Sequence, residues 1–480
     1  MTYEAVIGIE THVELATASK MFCGCPVDFG AEPNTNVCPT CLGLPGALPV
    51  PNERAVAWTV MLGLALDCEI AARSLFHRKN YFYADLPKNY QISQYDLPLC
   101  TGGHLDVEVG GETHRVGITR VHLEEDTGKS THLGDTGRIH AAEAALLDFN
   151  RSGIPLMEVV SEPDITGPEA ARAYAEELRS IVLALGVSDA KLEEGSLRFD
   201  ANVSLRPAGS DVLGVKVEVK NMNSLRSLQR ALAFEIERQA EVLDSGEPVA
   251  QETRHWDEER QVTEPGRSKE ESSDYRYFPE PDLVPIEVDE AWRERLRAGI
   301  PELPAALRAR LQGLGLDADT ARVVAAAEGL AGLLDDTVAA GGDARVAANW
   351  LTGEVTALLR RSGAGIADAP LTGAHLAELH AMVAGRELSA TAAKEVLAGV
   401  LAGEGGVRRV AEARDLLQIS DEDALVAAVD AAIAGHPDEF TRLREGEQRL
   451  TGFFVGRVMQ ATGGKADPRR VAELVRERAG

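Results

Sequence analysis

The sequence predicts an α+β fold, with a mixed or antiparallel sheet in the first part of the chain and only helices after about residue 290. Three observations point there. Four segments before residue 221 alternate polar and apolar residues with period 2, the repeat of a strand with one buried face. All eight tyrosines and eight of the eleven phenylalanines precede residue 290. Beyond it the chain is rich in Ala, Leu and Arg with Gly punctuation, and strand alternation almost disappears.

The elements follow in order. In Val6–Leu15, Glu10, His12 and Glu14 share one face. In Gly117–Asp126, Arg120, His122, Glu124 and Asp126 oppose Val121, Leu123 and Glu125. A helix opens after Thr166 with Pro168 in its first turn, lines one face with Tyr174, Leu178, Ile181 and Leu185, and ends at Gly186. Leu197–Arg206 sets Arg198, Asp200, Asn202 and Ser204 against five apolar residues, and Val215–Lys220 sets Lys216, Glu218 and Lys220 against valines. Ser224 caps a second helix, with Leu225, Leu228, Leu232 and Ile236 on its stripe, that stops before Gly246. The stretch 270–285 reads as a loop at a boundary, and Gly403-Glu-Gly-Gly406 as a further joint. The four polar faces have two readings, a solvated outer face or a concave polar platform; alternation alone does not choose between them.

Length and charge bound the function. At roughly 100–200 residues per domain, 480 residues make about two to four domains. A formal charge of −27, from 49 Lys and Arg against 76 Asp and Glu, argues against broad nonspecific nucleic-acid binding; any such contact needs a local patch. The longest apolar run, Ala55 to Leu66, is too short to cross a membrane, and the N-terminus lacks the regions of a signal peptide. The expectation is a soluble cytoplasmic protein with no membrane partner. Six cysteines in that compartment point to metal or free thiols rather than disulfides.

Two segments carry chemistry by their spacing. Cys23-x-Cys25, twelve residues, then Cys38-x-x-Cys41 offers four thiolates, a full tetrahedral set for structural Zn²⁺ with no open position. Cys68 and Cys100 read as core thiols. Glu124-Glu125-Asp126-Thr-Gly-Lys-Ser130 ends like a P-loop, but Leu123 stands where the loop needs Gly. These acids, with Glu10, His12 and Glu14, suit Mg²⁺, which takes carboxylates plus substrate phosphates; a solvated acidic turn is the other reading. Lys79–Gln94 packs two of the ten lysines, Lys79 and Lys88, among tyrosines and amides, a density that binds phosphates or lines a polar passage. There is no Gly-x-Ser-x-Gly elbow, no Gly-x-Gly-x-x-Gly, and no Cys at position 2, so ammonia, if used, is made elsewhere.

Taken together, Ile7–Leu15, Phe29–Asn34, Lys79–Gln94, Glu124–Ser130, Val159–Asp164, Glu194–Pro207 and Asp274–Asp282 closely resemble the B-subunit family of aspartyl/glutamyl-tRNA amidotransferases, across essentially the whole chain. The resemblance implies a cradle domain, the kinase and transamidase part, over 1–290, a helical domain over 291–405 and a small tRNA-binding tail over 406–480. It implies an ATP-dependent ligase: the carboxylate of Glu-tRNA(Gln) or Asp-tRNA(Asn) is phosphorylated, then amidated with ammonia from an amidase-type A subunit, with a small C subunit completing a heterotrimer. A carboxylate is a poor electrophile, so ATP must first convert it to an acyl phosphate. Carried onto matching positions, Glu10, His12, Glu124 and Glu125 become Mg²⁺-site residues, and Lys79 and Lys88 phosphate or channel contacts. Glu158, Arg198, Asp200 and Asn202 complete the pocket. Ala84 stands where the family usually has Pro, and Phe199 where Cys is common. In the tail, residues 441–480 hold nine Lys and Arg against five Asp and Glu, a local +4, with Lys465, Arg469 and Arg470 beside Gly463-Gly464. A noncatalytic tRNA-binding scaffold and a ligase acting on a free acid are the alternative readings.

Overall fold

The computed structural model of the chain describes residues 2–133, 144–266, 275–418 and 422–480; positions 270–274 of the expected boundary loop lie outside them. The chain divides into two compact units, Met1–Pro304 and Ala305–Gly480.

The first unit carries the strands. In chain order they are β1 (Tyr3–Glu14), β2 (Glu69–Ile70), β3 (Arg73–Ser74), β4 (His77–Asn80), β5 (Tyr90–Ser93), β6 (Cys100–Val109), β7 (Glu112–Glu125), β8 (Lys129–Leu133), β9 (Ala144–Asp148), β10 (Pro155–Ser161), β11 (Leu197–Pro207), β12 (Val217–Lys220), β13 (Thr253–Asp257), β14 (Val262–Pro265), β15 (Phe278–Pro279) and β16 (Ile286–Glu287). Nine form one sheet in the order β14-β13-β12-β11-β1-β10-β7-β6-β2, antiparallel throughout except for the parallel pair β12–β13. A three-stranded sheet, β15-β4-β5, lies where β5 meets β7. All four segments read as alternating strands lie in the large sheet.

The alternation explains the layering. Ile7, Ile9 and Val13 of β1 are at most 1% exposed, and Leu197, Ala201 and Val203 of the paired β11 lie in the same core. Burying one such aliphatic side chain contributes about 1.5–3 kcal/mol, so a one-residue slip that turned this row to water would outweigh any gain on the polar face. Helices α1 (Glu53–Ala65), α2 (Pro168–Ala184) and α3 (Leu225–Asp244) share that core through Val60, Tyr174, Leu178, Leu228 and Leu232. Ser224 caps α3 by accepting from the Ser227 N–H at 2.9 Å, and Gly186 follows α2 in the left-handed conformation. Helix α4 (Glu290–Ala298) lies beyond residue 290, yet Trp292, Leu296, Ile300 and Leu303 pack on the first core, which carries the unit on to Pro304.

The second unit is helical and holds two apolar cores. One runs from Leu311 to Ala411, the other from Leu425 to Val475. Asp317, Asp343, Thr372, Ser389 and Asp467 each cap a helix with a side-chain oxygen. The Gly403–Gly406 break falls inside the first of these cores, because Val407, Val410 and Ala411 beyond it bury with Val396 and Val400 before it. Among the described residues no helix is long and apolar enough to cross a membrane.

One buried charge ties α3 to the sheet edge. The Glu235 side chain is 0% exposed, pairs with Arg238 at 2.6 Å and Arg254 at 3.6 Å, and accepts from Thr263 and Gln239. Removing Glu235 leaves Arg238 without its paired carboxylate and the Thr263 and Gln239 donors without an acceptor, while Arg254 keeps Glu252 at 2.6 Å. Glu235→Ala should therefore lower the stability of the first unit by about 3–5 kcal/mol in equilibrium urea unfolding, whereas a loss within experimental error would show that the network carries no net stabilisation.

Candidate active site and cysteine centre

The paired strands set polar residues in rows across the sheet. His12 of β1 lies opposite Arg198 of β11 on one side and Glu158 of β10 on the other, and Glu158 lies opposite His122 of β7. One step along, Glu10 lies between Asp200 and Val160, and Val160 opposite Arg120. Antiparallel register thus converts four separate alternations into one face bearing acids, histidines and arginines.

On this face His12, Glu124 and Glu158 each offer a ligand atom, all within 4.8 Å of one another. Glu158 Oε2 is 3.6 Å from His12 Nε2 and 3.5 Å from His122 Nε2, and the Ser93 hydroxyl donates to Glu124 at 3.2 Å. Burial pushes the His122 imidazole down to about 3, against the pull of Glu124, so it is neutral. Arg120 Nε donates to its Nδ1 at 3.3 Å, which leaves the proton on Nε2, facing the two glutamates. That is the arrangement that orients a carboxylate ligand from behind. Burial also opposes the Lys79 charge, but Glu124 foremost, then Tyr277 and Glu158, lifts its pKa above the ordinary lysine value. Lys79 Nζ stands 5.2 Å from the Tyr275 ring centre, so the small sheet holds a cation near the cluster.

Other expected residues take different places. Glu10 is beside the cluster: Asn202 donates to it at 3.1 Å, and burial and then the Glu158 charge raise its pKa, with His12 and Lys220 pulling against them. Asp200 is tied to Lys220 at 2.5 Å. Arg198 reaches Asp126 at 2.6 Å and Glu14 at 3.7 Å. Glu14 is pushed up to about 8 by burial and by neighbouring Asp126. Asp126 is held down to about 2, because Arg198 and Arg151 outweigh its burial.

Glu125 is not in the cluster. It ion-pairs with Lys88, accepts from the Ile92 N–H at 2.9 Å, and borders a cavity of about 180 Å³ shared with Cys23 and Cys41. The expected grouping of Glu124 with Glu125 thus separates, since neighbouring residues of a strand point to opposite faces. The stem of Lys88 crosses Gly43, where a Cβ would collide with it and where φ is +66°.

Beyond that cavity the four thiols of Cys23, Cys25, Cys38 and Cys41 also lie within 4.8 Å of one another, a set that can hold a metal ion. A hydrogen bond from Cys23 holds the Cys41 thiol down to about 5, with the Cys38 N–H and Lys20 assisting. Lys20 is 1% exposed, with Nζ 3.8 Å from Cys41 Sγ and donating to the Phe149 carbonyl at 3.1 Å. Lys20 and Arg151 carry no spacing signal; Ser93 lies within the Lys79–Gln94 stretch but not among the lysines, tyrosines and amides that mark it. Arg120 and His122 were legible as members of the polar row, but nothing in sequence separated them from a solvated face.

Among the described residues, fold and sites together define a sheet domain with one mixed His–Glu cluster and one tetrathiol cluster, followed in the chain by a helical unit. Residues 5–294 match the family model described as GatB/GatE catalytic domain, and residues 332–478 that of the GatB domain. The B subunit of the aspartyl/glutamyl-tRNA(Asn/Gln) amidotransferase of Frankia casuarinae is 55% identical over 100% of this chain and 96% of its own length. Its namesake in Moorella thermoacetica is 52% identical over the full length of both chains. The chain belongs to the GatB family, the B subunits of these amidotransferases.

Proposed function

We propose that this chain is the tRNA-amidating subunit its relatives are named for, converting Glu-tRNA(Gln) or Asp-tRNA(Asn) to Gln-tRNA(Gln) or Asn-tRNA(Asn) in the cytoplasm. In this reading it phosphorylates the side-chain carboxylate with ATP and then amidates it with ammonia from an amidase-type A subunit, within a heterotrimer completed by a small C subunit. The His12–Glu124–Glu158 cluster under Lys79 carries the reading. The two carboxylates fit Mg²⁺, which binds through one or two carboxylates and keeps positions for phosphate oxygens, with the His12 imidazole as a nitrogen donor beside them. When bound, that ion supplies charge neutralisation for the phosphates of ATP.

The chain's own groups do the rest. Lys79 meets phosphate charge from the small sheet. His122 orients Glu158, and Glu10 extends the acid face toward Asn202. Lys88 suits a channel contact better than a phosphate contact, because Glu125 already takes its charge and its cavity adjoins the cysteine loop. The tetrathiol set suits structural Zn²⁺, and Lys20 offsets the excess negative charge of four thiolates. For the tail, Lys465 and Arg470 are engaged with Asp415 and Glu422, while Arg469 and Arg476, seven apart on one helix, are exposed toward a tRNA backbone.

Two outcomes test this. Glu124→Gln should lower ATP-dependent amidation by about 10²–10³, while the A subunit still hydrolyses glutamine and misacylated tRNA still binds; near-normal amidation would favour the scaffold reading. Elemental analysis of the protein purified without chelator should find one zinc per chain, lost together in a Cys38→Ser/Cys41→Ser variant. Absence of zinc with four freely titratable thiols would refute the tetrathiolate.

A further inference from the structure

The small sheet carries a strap whose residues lie outside the acid cluster. Residues 275–282 run beside β4 in the antiparallel sense, with Phe278 opposite Arg78 and Pro279 opposite His77. Continued toward the start of the strap, that register sets Tyr277 level with Lys79 and Tyr275 level with Tyr81. Side chains alternate along paired strands, so two sets form. Arg78, Phe278 and Glu280 share one face; Lys79, Tyr81, Tyr275 and Tyr277 share the other. The ring contacts agree. Tyr275 stands edge-on to Tyr81 at 6.1 Å and to Tyr277 at 6.0 Å, and Lys79 Nζ lies 5.2 Å from the Tyr275 ring centre. Tyr277 in turn stacks flat on Tyr95 at 4.3 Å.

The opposite face fastens the strap. The Glu280 side chain is 0% exposed and takes both arms of Arg78, at 2.7 and 2.8 Å, while Asp282 accepts from the same guanidinium at 3.3 Å. That guanidinium lies 4.2 Å from the Tyr90 ring centre, so it is packed as well as paired. The Glu280 N–H donates to the Phe76 carbonyl at 2.8 Å. At the other end, the Asn80 side chain donates to the Tyr275 and Arg276 carbonyls at 3.1 and 2.9 Å. Between the two tyrosines, Arg276 holds a left-handed φ of +44°. A residue with a side chain keeps that conformation only where its surroundings fix it. Strand β15 is two residues long, too short to set the strap by ladder bonds alone. A buried ion pair often brings little net stability, because both charges leave water, but its paired arms specify geometry.

We propose that Tyr275 and Tyr277 are positioning residues for Lys79, held in place by Arg78, Asn80 and Glu280. The inference rests on reading Lys79 as the cation that meets phosphate charge at the His12–Glu124–Glu158 cluster. Lysine ends in a compact charge on a flexible stem, so it needs a wall to keep one direction. The Tyr275 ring supplies that wall, and Tyr277, fixed by its stack on Tyr95, backs it. A ring face attracts an ammonium without neutralising it, whereas a carboxylate takes its charge, as Glu125 takes that of Lys88. Lys79 is thereby fixed in place and still free to meet phosphate. Burial raises the Tyr277 phenol pKa, Lys79 lowers it, and Glu124 and Glu158 add to the rise, which sets the strap beside the acid cluster.

The test follows the reactivity of Lys79 as well as the rate of amidation. Tyr275→Leu, Tyr275→Phe and Glu280→Gln would each be made in the complete heterotrimer and treated with an acetylating N-hydroxysuccinimide ester. Mass spectrometry then reads the acetylation rate of each lysine, with exposed Lys216 and Lys394 as references. Tyr275→Leu and Glu280→Gln should raise Lys79 acetylation about threefold or more while the references hold. The same two variants should lower kcat for amidation about tenfold or more, through misplacement of the cation. Tyr275→Phe keeps the ring and should stay within about twofold of the parent in both measurements. Tyr275→Leu, at a half-buried position, stands in if Glu280→Gln does not fold. Lys79 acetylation that is unchanged in the folded variants, or that rises only in step with the references, would overturn the assignment, since a merely structural strap predicts one or the other. Near-normal amidation by Lys79→Met would instead remove the reading on which it rests.

Discussion

The pairing of β1 on both its edges is the constraint on which the first unit depends. Its neighbours β10 and β11 are both antiparallel, and Ile7, Ile9 and Val13 are sealed in the core beneath them. With that row fixed, the intervening Gly8, Glu10 and His12 have no freedom to choose their face. The same register brings Glu158, His122 and Arg198 level with His12 from three other strands. Hydrophobic burial, which carries no chemical information, thereby aligns the groups that do.

The second constraint is electrostatic. Buried carboxylates persist only when paired or hydrogen-bonded, and the first unit holds several. Its cations are arranged around them: Lys79 near Glu124, Lys88 on Glu125, Arg198 on Asp126, Lys220 on Asp200, Lys20 by the thiols. Four of the ten lysines are thus committed within one unit of a chain carrying −27. The cluster of His12, Glu124 and Glu158 stands out because the neutral His122 backs it and Lys79 is the cation beside it. Two carboxylates with one counter-lysine leave room for a divalent cation, whereas the Lys88–Glu125 pair is already balanced.

Much of this was legible in the sequence, for identifiable reasons. Period-2 alternation marks strands one at a time, so all four were found, and capping residues marked α2 and α3. Two close cysteine pairs announced their own convergence. Period 2 already set Glu124 with His122 and Glu125 on the other face; the two were grouped as metal-site residues through the family resemblance, and what the alternation could not show was that Glu125 finds its partner in Lys88. Glu158 sits alone in the apolar run of β10 and entered only through the family resemblance, since its role comes from pairing with a strand more than 140 residues earlier. Lys20 gave no signal at all: a single lysine in a loop becomes a buried countercharge only once Phe149 and Cys41 close around it. Helix α4 belongs to the first core through Trp292 and Leu296, a contact that composition, turning Ala- and Arg-rich there, conceals.

The proposed function requires a divalent cation at His12, Glu124 and Glu158 on the sheet's polar face. Anomalous scattering from crystals of the heterotrimer soaked in Mn²⁺ tests it most directly. A Mn²⁺ peak bonded to the His12 imidazole and to both carboxylates, with Glu125 still on Lys88, is the predicted result. A peak placed instead by Glu125, or by Asp200 and Glu218, with none at His12, would contradict it.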